Sequence, residues 1–279
     1  MAYKNFVPTV WAEAIEHELE RAHVFVEDTN RQSEGNVQKA GDTVRILGVG
    51  KPTITTVKTT DGDLTLDPAE TVGDSSTSLL INHVSYFNYL VDDIDKRQAV
   101  GGVMDALSKE SSQALANEED LAVSALSLAP EAVLKDATAT EITTENILSY
   151  IDAAQEVLYE NDVKPDTEVT LTVPPWFYMI LKQAYIKLDT DNSEMLENGK
   201  VGKYGNITVR LSNNIAKDAS NNSLIQLKTK KAIAFAEPMT HTEPYRPEDR
   251  FSDAVKGFIL YGTKIVRPKE MIVLNCTRG

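Results

Sequence analysis

Hydrophobic positions change period several times along the chain, and each change marks a different kind of structure. The longest regular stretch runs from about Asp93 to Ala129. Val100, Leu107, Ala114, Leu121 and Leu128 recur every seventh residue, and Val103, Met104, Leu115, Ala122 and Ala125 fill the same stripe. This spacing predicts one amphipathic helix, stopped by Pro130. At 1.5 Å per residue it would run about 50 Å, several times the mean globular helix. The stripe is narrow and interrupted by Ser111 and Glu118. Such a helix is expected to lie across a flat sheet as a spar, with much of its surface wet. Gly101 and Gly102 inside it are a candidate bend, because paired glycines weaken a helix locally.

Ahead of the helix, Thr9 to Ala22 has a short helical period, with Trp11, Ala14, Ile15, Leu19 and Ala22 on one face. Polar sequence without period (Glu27 to Ala40) follows and reads as a tether. Thr43 to Val49 reads as a strand, Gly50-Lys51-Pro52 as a turn, and the Thr-rich stretch Thr53 to Thr59 as its hairpin partner. Two strands this polar cannot bury a face alone, so the hairpin needs a partner surface. After a loose stretch through Ser78, Leu79 to Val91 reads as one long strand.

From about Glu141 helices and strands alternate. Ile142 to Tyr159 is expected to be helical with Thr143 as a cap. Glu168 to Val173 is expected to be a strand, and Pro174-Pro175 opens a helix carrying Trp176, Met179, Ile180 and Ala184. Strands are expected at Asn206 to Leu211, Ser223 to Leu227 and Ala232 to Ala236. The last two would be joined by a solvated turn at Lys228-Thr-Lys-Lys231. In the tail, Ala254 to Val266 and Met271 to Asn275 look like partners for the Leu79–Val91 strand. The α/β stretch would then be an insertion between the two halves of one sheet.

Composition narrows the function. The chain has 279 residues and a net charge of −14. A protein this acidic is repelled by nucleic acid and by anionic membranes, whereas a wall enclosing nucleic acid without sticking to it would carry this sign. One cysteine, Cys276, leaves no intrachain disulfide framework. The N-terminal sequence does not read as a signal peptide, and no apolar run approaches a membrane span. A soluble protein, intracellular at synthesis, is expected. Four scattered histidines form no zinc pattern. Asp189-Thr-Asp191-Asn-Ser193 begins like a calcium loop, but Glu194 and Lys200 stand where Gly and Glu belong. Gly48-Val-Gly50 and Gly199–Lys203 lack phosphate-loop spacing, and Ser75 lacks a nucleophile elbow. No catalytic, cofactor-binding or metal-binding residue is expected.

The order of these segments resembles the major capsid proteins of tailed bacteriophages, the Hong Kong ninety-seven fold. The resemblance rests on Val84-Ser-Tyr-Phe-Asn-Tyr-Leu-Val-Asp-Asp-Ile-Asp-Lys-Arg-Gln98 running into the long helix. It rests also on Thr242–Phe251 leading to Val255–Pro268. It implies an α+β chain with an N-terminal arm (1–34), an extended hairpin loop (35–78) and a peripheral domain with a spine helix (79–135). An α/β axial domain (136–236) and the returning peripheral strands (237–279) complete it. The implied function is a self-assembling icosahedral shell of pentamers and hexamers around double-stranded DNA. Such a protein is made in the cytoplasm of a bacterial host and ends in the virion. A separate scaffolding protein and a portal are implied as partners, since no long charged helical segment precedes the arm. Candidate inter-subunit residues are Trp11, Ile15 and Leu19 in the arm and Arg45, Lys51 and Lys58 in the loop. Some members cross-link a loop Lys to a neighbour's Asn. Lys51, Lys58 and Asn275 have the right types but match no motif, so no cross-link is expected. Two alternatives are an encapsulin-type compartment and an acidic α/β enzyme with a discontinuous second domain, the latter separable by gel filtration.

Overall fold

A computed structural model describes residues 23–32, 43–49, 74–92, 103–187, 202–247 and 252–279. Its strands form three sheets. Strands β3 (His83–Asp92), β10 (Ile233–Tyr245) and β11 (Ser252–Ile265) make an antiparallel sheet in the order β10-β11-β3. Along β3 the strand period of two sorts the side chains: Ser85, Phe87 and Tyr89 are half-buried, while Val84, Tyr86 and Leu90 are exposed. Helix α1 (Val103–Ala125) covers the first of these faces and passes into a 3-10 turn at Leu126–Leu128.

The second sheet is larger. Strands β4 (Val133–Leu134), β6 (Val169–Val173), β7 (Lys203–Tyr204), β8 (Ile207–Leu211), β9 (Ser223–Thr229) and β12 (Met271–Arg278) lie in the order β4-β12-β9-β6-β8-β7. Strand β5 (Thr140–Ile142) also pairs with β12. Central β6, Val-Thr-Leu-Thr-Val, is buried along its whole length. Helices α2 (Ile147–Glu160) and α3 (Pro175–Lys187) cover one face. Ile151, Ala154 and Leu158 from α2 and Phe177 and Leu181 from α3 meet Leu171, Leu227 and Leu274. Pro175 opens α3 at the position where a missing N–H costs nothing. The other face presents Leu224, Met271 and Val273 to α1, which is therefore wedged between the two sheets rather than laid across one.

That wedge overturns part of the expected buried stripe. Leu121 is 43 % exposed and Leu128 58 % exposed, and Ala114 is exposed as well. The buried face keeps Leu115 from that stripe, with Ala122 partly buried beside it, and otherwise carries Ser112, Ala116, Glu119, Asp120, Val123, Ser124 and Ser127. Its polar members have partners. Gln226 Nε2, buried in β9, donates to Val123 O at 3.1 Å and to Ser127 Oγ at 2.8 Å, and Ser124 Oγ accepts from Ala216 N at 2.7 Å. A polar group is tolerated inside when it is hydrogen-bonded, so hydropathy alone points to the wrong face here.

Other expectations also change. The long strand from Leu79 is two strands: β2 (Asp74–Leu80) ends, and β3 begins at His83 in another sheet. The partner of β1 (Thr43–Val49) is β2, from Thr43 opposite Leu80 to Val49 opposite Asp74. The expected partner, 53–59, lies outside the described residues. Met271–Arg278 does not join β3 but sits beside β9 in the large sheet. Strands β9 and β10 form no hairpin, since they enter different sheets across Lys230–Ala232. Lys228 is not a solvated turn residue but a wholly buried strand residue. Thr143 is not the cap of α2, which starts at Ile147; Asn146 Oδ1 accepts from Thr143 N at 2.8 Å. The candidate calcium loop lies outside the described residues. Cys276 is buried in β12, and burial pushes its thiol up to about 12, so it packs rather than reacts.

Candidate assembly surfaces

Three places in the described residues bear on how the subunit could meet others: the root of the N-terminal segment, the root of the loop after β1, and the open face of the small sheet.

The N-terminal root is residues 23–32. Phe25 and Val26 are fully buried among Leu115, Val123, Phe235 and Tyr261, a contribution of about 1.5–3 kcal/mol for each side chain. The backbone around them enters with donors that no regular element satisfies. Asp120 of α1 takes all three: Oδ2 accepts from Val24 N at 2.9 Å, and Oδ1 from Phe25 N at 2.9 Å and Val26 N at 3.1 Å. One residue earlier, Glu119 Oε2 lies 2.5 Å from His23 Nε2. Both carboxyls are pushed above the usual range, chiefly by burial, and the contacts with His23 and with the three amides oppose that shift. Arg210 of β8 reaches Glu27 at 2.5 Å and, through Nε, Asp28 Oδ2 at 2.6 Å. Asn30 bonds to β10, donating to Ile233 O at 2.8 Å and accepting from Phe235 N at 3.0 Å. The polar sequence read as a tether is therefore, from residue 27 to 31, built into the body.

Lys228 Nζ donates to the carbonyl of Asp28 in the same junction. Burial lowers its pKa from the ordinary value to about 8, against the opposing pull of Asp28. A lysine depressed in the fold binds fewer protons folded than unfolded. Its charge therefore weakens the fold below pH 8, and stability recovers as pH rises from about 8 towards 10.5. Cys276, raised in the fold, works in the opposite direction above pH 9, so the comparison needs a variant. Urea unfolding of unassembled subunit should show wild type gaining about 1 kcal/mol on Lys228→Met between pH 8 and 9. Parallel curves would mean that the lysine is not held deprotonated.

The loop root is the β1–β2 ladder with Ile81 beyond it. Leu79 and Ile81 are buried against Ala234, Ala236 and Leu260, with Ile46 partly buried beside them. The chain crosses β11 very closely: a Cβ at Gly262 would lie 2.4 Å from Leu80 O and 2.9 Å from Ile81 Cδ1. Glycine is required there because only a bare Cα lets two backbones approach so near.

The open face of the small sheet is aromatic. Tyr86 is 78 % exposed, with Phe258 and His241 in register beside it on β11 and β10. The His241 and Phe258 rings lie 5.7 Å apart, and Lys256 pairs with Glu243 at 3.2 Å. Together with Tyr86 they line a groove of ≈ 440 Å³. Among the described residues no group of His, Cys, Asp or Glu could hold a metal ion, and no helix is long and apolar enough to cross a membrane.

A family model described as phage capsid protein matches residues 85–274, well over half of the chain. The chain belongs to the phage capsid protein family. Solved structures agree. A Mycobacterium phage Che8 structure superposes with a TM-score of 0.74 at 25 % identity, covering 91 % of each chain. The capsid of cyanophage P-SCSP1u gives 0.71 at 15 % identity, covering 92 % of this chain and 89 % of that one. The mature capsid of bacteriophage PhiM1 gives 0.66 at 18 % identity, covering 91 % and 87 %. No curated protein matches. This phage capsid protein is a major capsid protein of the tailed-phage type, with a mixed α+β fold and a structural role in a multimeric, icosahedral virion shell. The encapsulin alternative is not favoured.

Of the residues named from sequence for this capsid protein, Arg45 sits in β1, its backbone opposite Ser78. Trp11, Ile15, Leu19, Lys51, Lys58, Gly101 and Gly102 lie outside the described residues. Sequence reasoning missed His23, Glu119, Asp120 and Gly262, and the aromatic run Tyr86–Tyr89, which reads by default as core, is exposed at Tyr86. One signal was available: adjacent acids at 119 and 120 sit at helical spacing with Leu115, Ala116 and Val123.

Proposed function

We propose that this subunit builds pentamers and hexamers through three contacts: the arm (1–22), the loop beyond β1, and the open aromatic face of the small sheet. The observation that carries this reading is that face. A monomeric protein rarely leaves Tyr86, Val84 and Leu90 exposed side by side on one strand, and such patches mark protein contacts. In this reading Trp11, Ile15 and Leu19 pack against a neighbour, and Arg45, Lys51 and Lys58 serve the loop contact. The small sheet with α1 corresponds to the peripheral domain and the large sheet to the axial domain. The shell encloses double-stranded DNA without binding it specifically. A separate scaffolding protein and a portal take part, and the chain is made in the bacterial cytoplasm; sequence resemblance supports both.

Tyr86→Ser tests the central contact. The variant should keep the wild-type melting temperature within about 2 °C, since an exposed site away from packing shifts stability little. It should elute as free subunits or capsomers where wild type forms particles visible by electron microscopy. Normal particles from the variant would reject the face as a contact. We propose further that Gly101 and Gly102 let the spine bend between subunit positions. Alanine at both should then yield irregular particles from a subunit that melts no lower than wild type. A destabilised subunit that still builds round shells would reject the bend.

A further inference from the structure

The arm root and the loop root lie on opposite sides of the same two strands, and we infer that they are energetically coupled through them. Successive residues of β10 alternate between the two roots. Ile233 and Phe235 pack with Phe25 and Val26 of the arm root, while Ala234 and Ala236 pack with Leu79 and Ile81 of the loop root. On β11, Ile259 and Tyr261 face the arm root and Leu260 the loop root. Gly262, directly opposite Ala236, carries the crossing of Leu80.

The two roots are therefore one strand thickness apart. On the loop side the strand surface is Ala234, Ala236, Leu260 and Gly262, and at Gly262 contact comes to nearly backbone distance. On the arm side Asn30 bonds to the backbone of Ile233 and Phe235, and the Phe235 ring stacks 6.0 Å from Tyr261. The ladder between β10 and β11 shifts register between Ala236 and Met239. Ile233–Ala236, paired with Gly262–Ile265, is thus set off from the rest of β10 as a short unit. A close-packed interior passes a shift from one side to the other rather than damping it. Loosening either root should loosen the other, and thermodynamic linkage makes the effect reciprocal. The coupling belongs to the folded subunit itself, so it does not depend on which neighbours the arm and loop meet.

Amide hydrogen exchange on unassembled full-length subunit tests it in both directions. Ile81→Ala loosens the loop root, and the amide of Phe235, which bonds to Asn30, is read on the arm side. Asp120→Asn loosens the arm root, and the β1–β2 ladder is read on the loop side. Exchange at the remote root should rise about five-fold or more in each case, while Leu171 and Val173 in β6 keep their protection. If Ile81→Ala fails to fold, Ile81→Val removes a single methyl group and carries the same reading with a smaller rise. A local increase that leaves the remote root unchanged overturns the inference. So does an equal rise at β6, which would reflect global unfolding alone.

Discussion

Asp120→Ala should destabilise the unassembled subunit by about 3 kcal/mol in urea unfolding, far beyond an ordinary surface change on a helix. The substitution strips the acceptor from the amides of Val24, Phe25 and Val26, two of which belong to buried residues. An unsatisfied buried N–H costs about 1–3 kcal/mol, and relief of the buried charge returns part of that sum. Asp120→Asn should cost less, because its remaining carbonyl oxygen can keep the Phe25 and Val26 bonds made by Oδ1. The order of the two variants is the informative result. Equal losses would mean that packing of the carboxyl group, rather than its hydrogen bonds, holds the arm root. The same variant should assemble poorly even at temperatures where it stays folded, because the segment leaving His23 no longer departs from a fixed point. Sedimentation of particles against free subunits reads this directly.

Gly262→Ala should have an effect of similar size from the opposite cause. The added methyl would meet Leu80 O at 2.4 Å, a backbone atom that cannot rotate away. Overpacking typically costs 1–3 kcal/mol, and a backbone clash belongs at or above the upper end, so about 3 kcal/mol is expected. Leu80 and Ile81 must lift from β11, which tilts the whole β1–β2 ladder. Circular dichroism melting measures the loss, and electron microscopy should show the particles missing or misshapen. A variant with wild-type melting and normal shells would show that the crossing is looser than the geometry requires. The comparison with Asp120→Ala separates the roots: one fails by a missing acceptor and the other by excess volume.

Much of the architecture was legible from periodicity. Val169–Val173, Pro175–Lys187, Ile207–Leu211 and the return strand after Phe251 read correctly because their burial is one-sided or complete, and hydropathy then tracks position. Segment order alone was enough for the capsid resemblance. The errors have a common origin. Glu119, Asp120, Gln226 and Lys228 are buried and polar, each answering a donor or acceptor supplied by a segment roughly a hundred residues away or more. No local window contains both partners, so the α1 face and the Lys228 turn were misread.

Strand pairing failed for a related reason. Leu79–Val91 is continuous in hydropathy, yet β2 and β3 part at Ile81-Asn82 because the chain must cross Gly262. Met271–Arg278 is apolar enough for either sheet, and only the space beside β9 decides. The sequence by itself determined most element types, the acidic net charge and the family, because these depend on composition and on periods within one segment. The tertiary structure alone decided which face of the spine helix is inside, what holds the arm, and how closely the loop crosses the sheet. Those features depend on distances between residues far apart in the chain, and such distances exist only once the sheets have closed around α1.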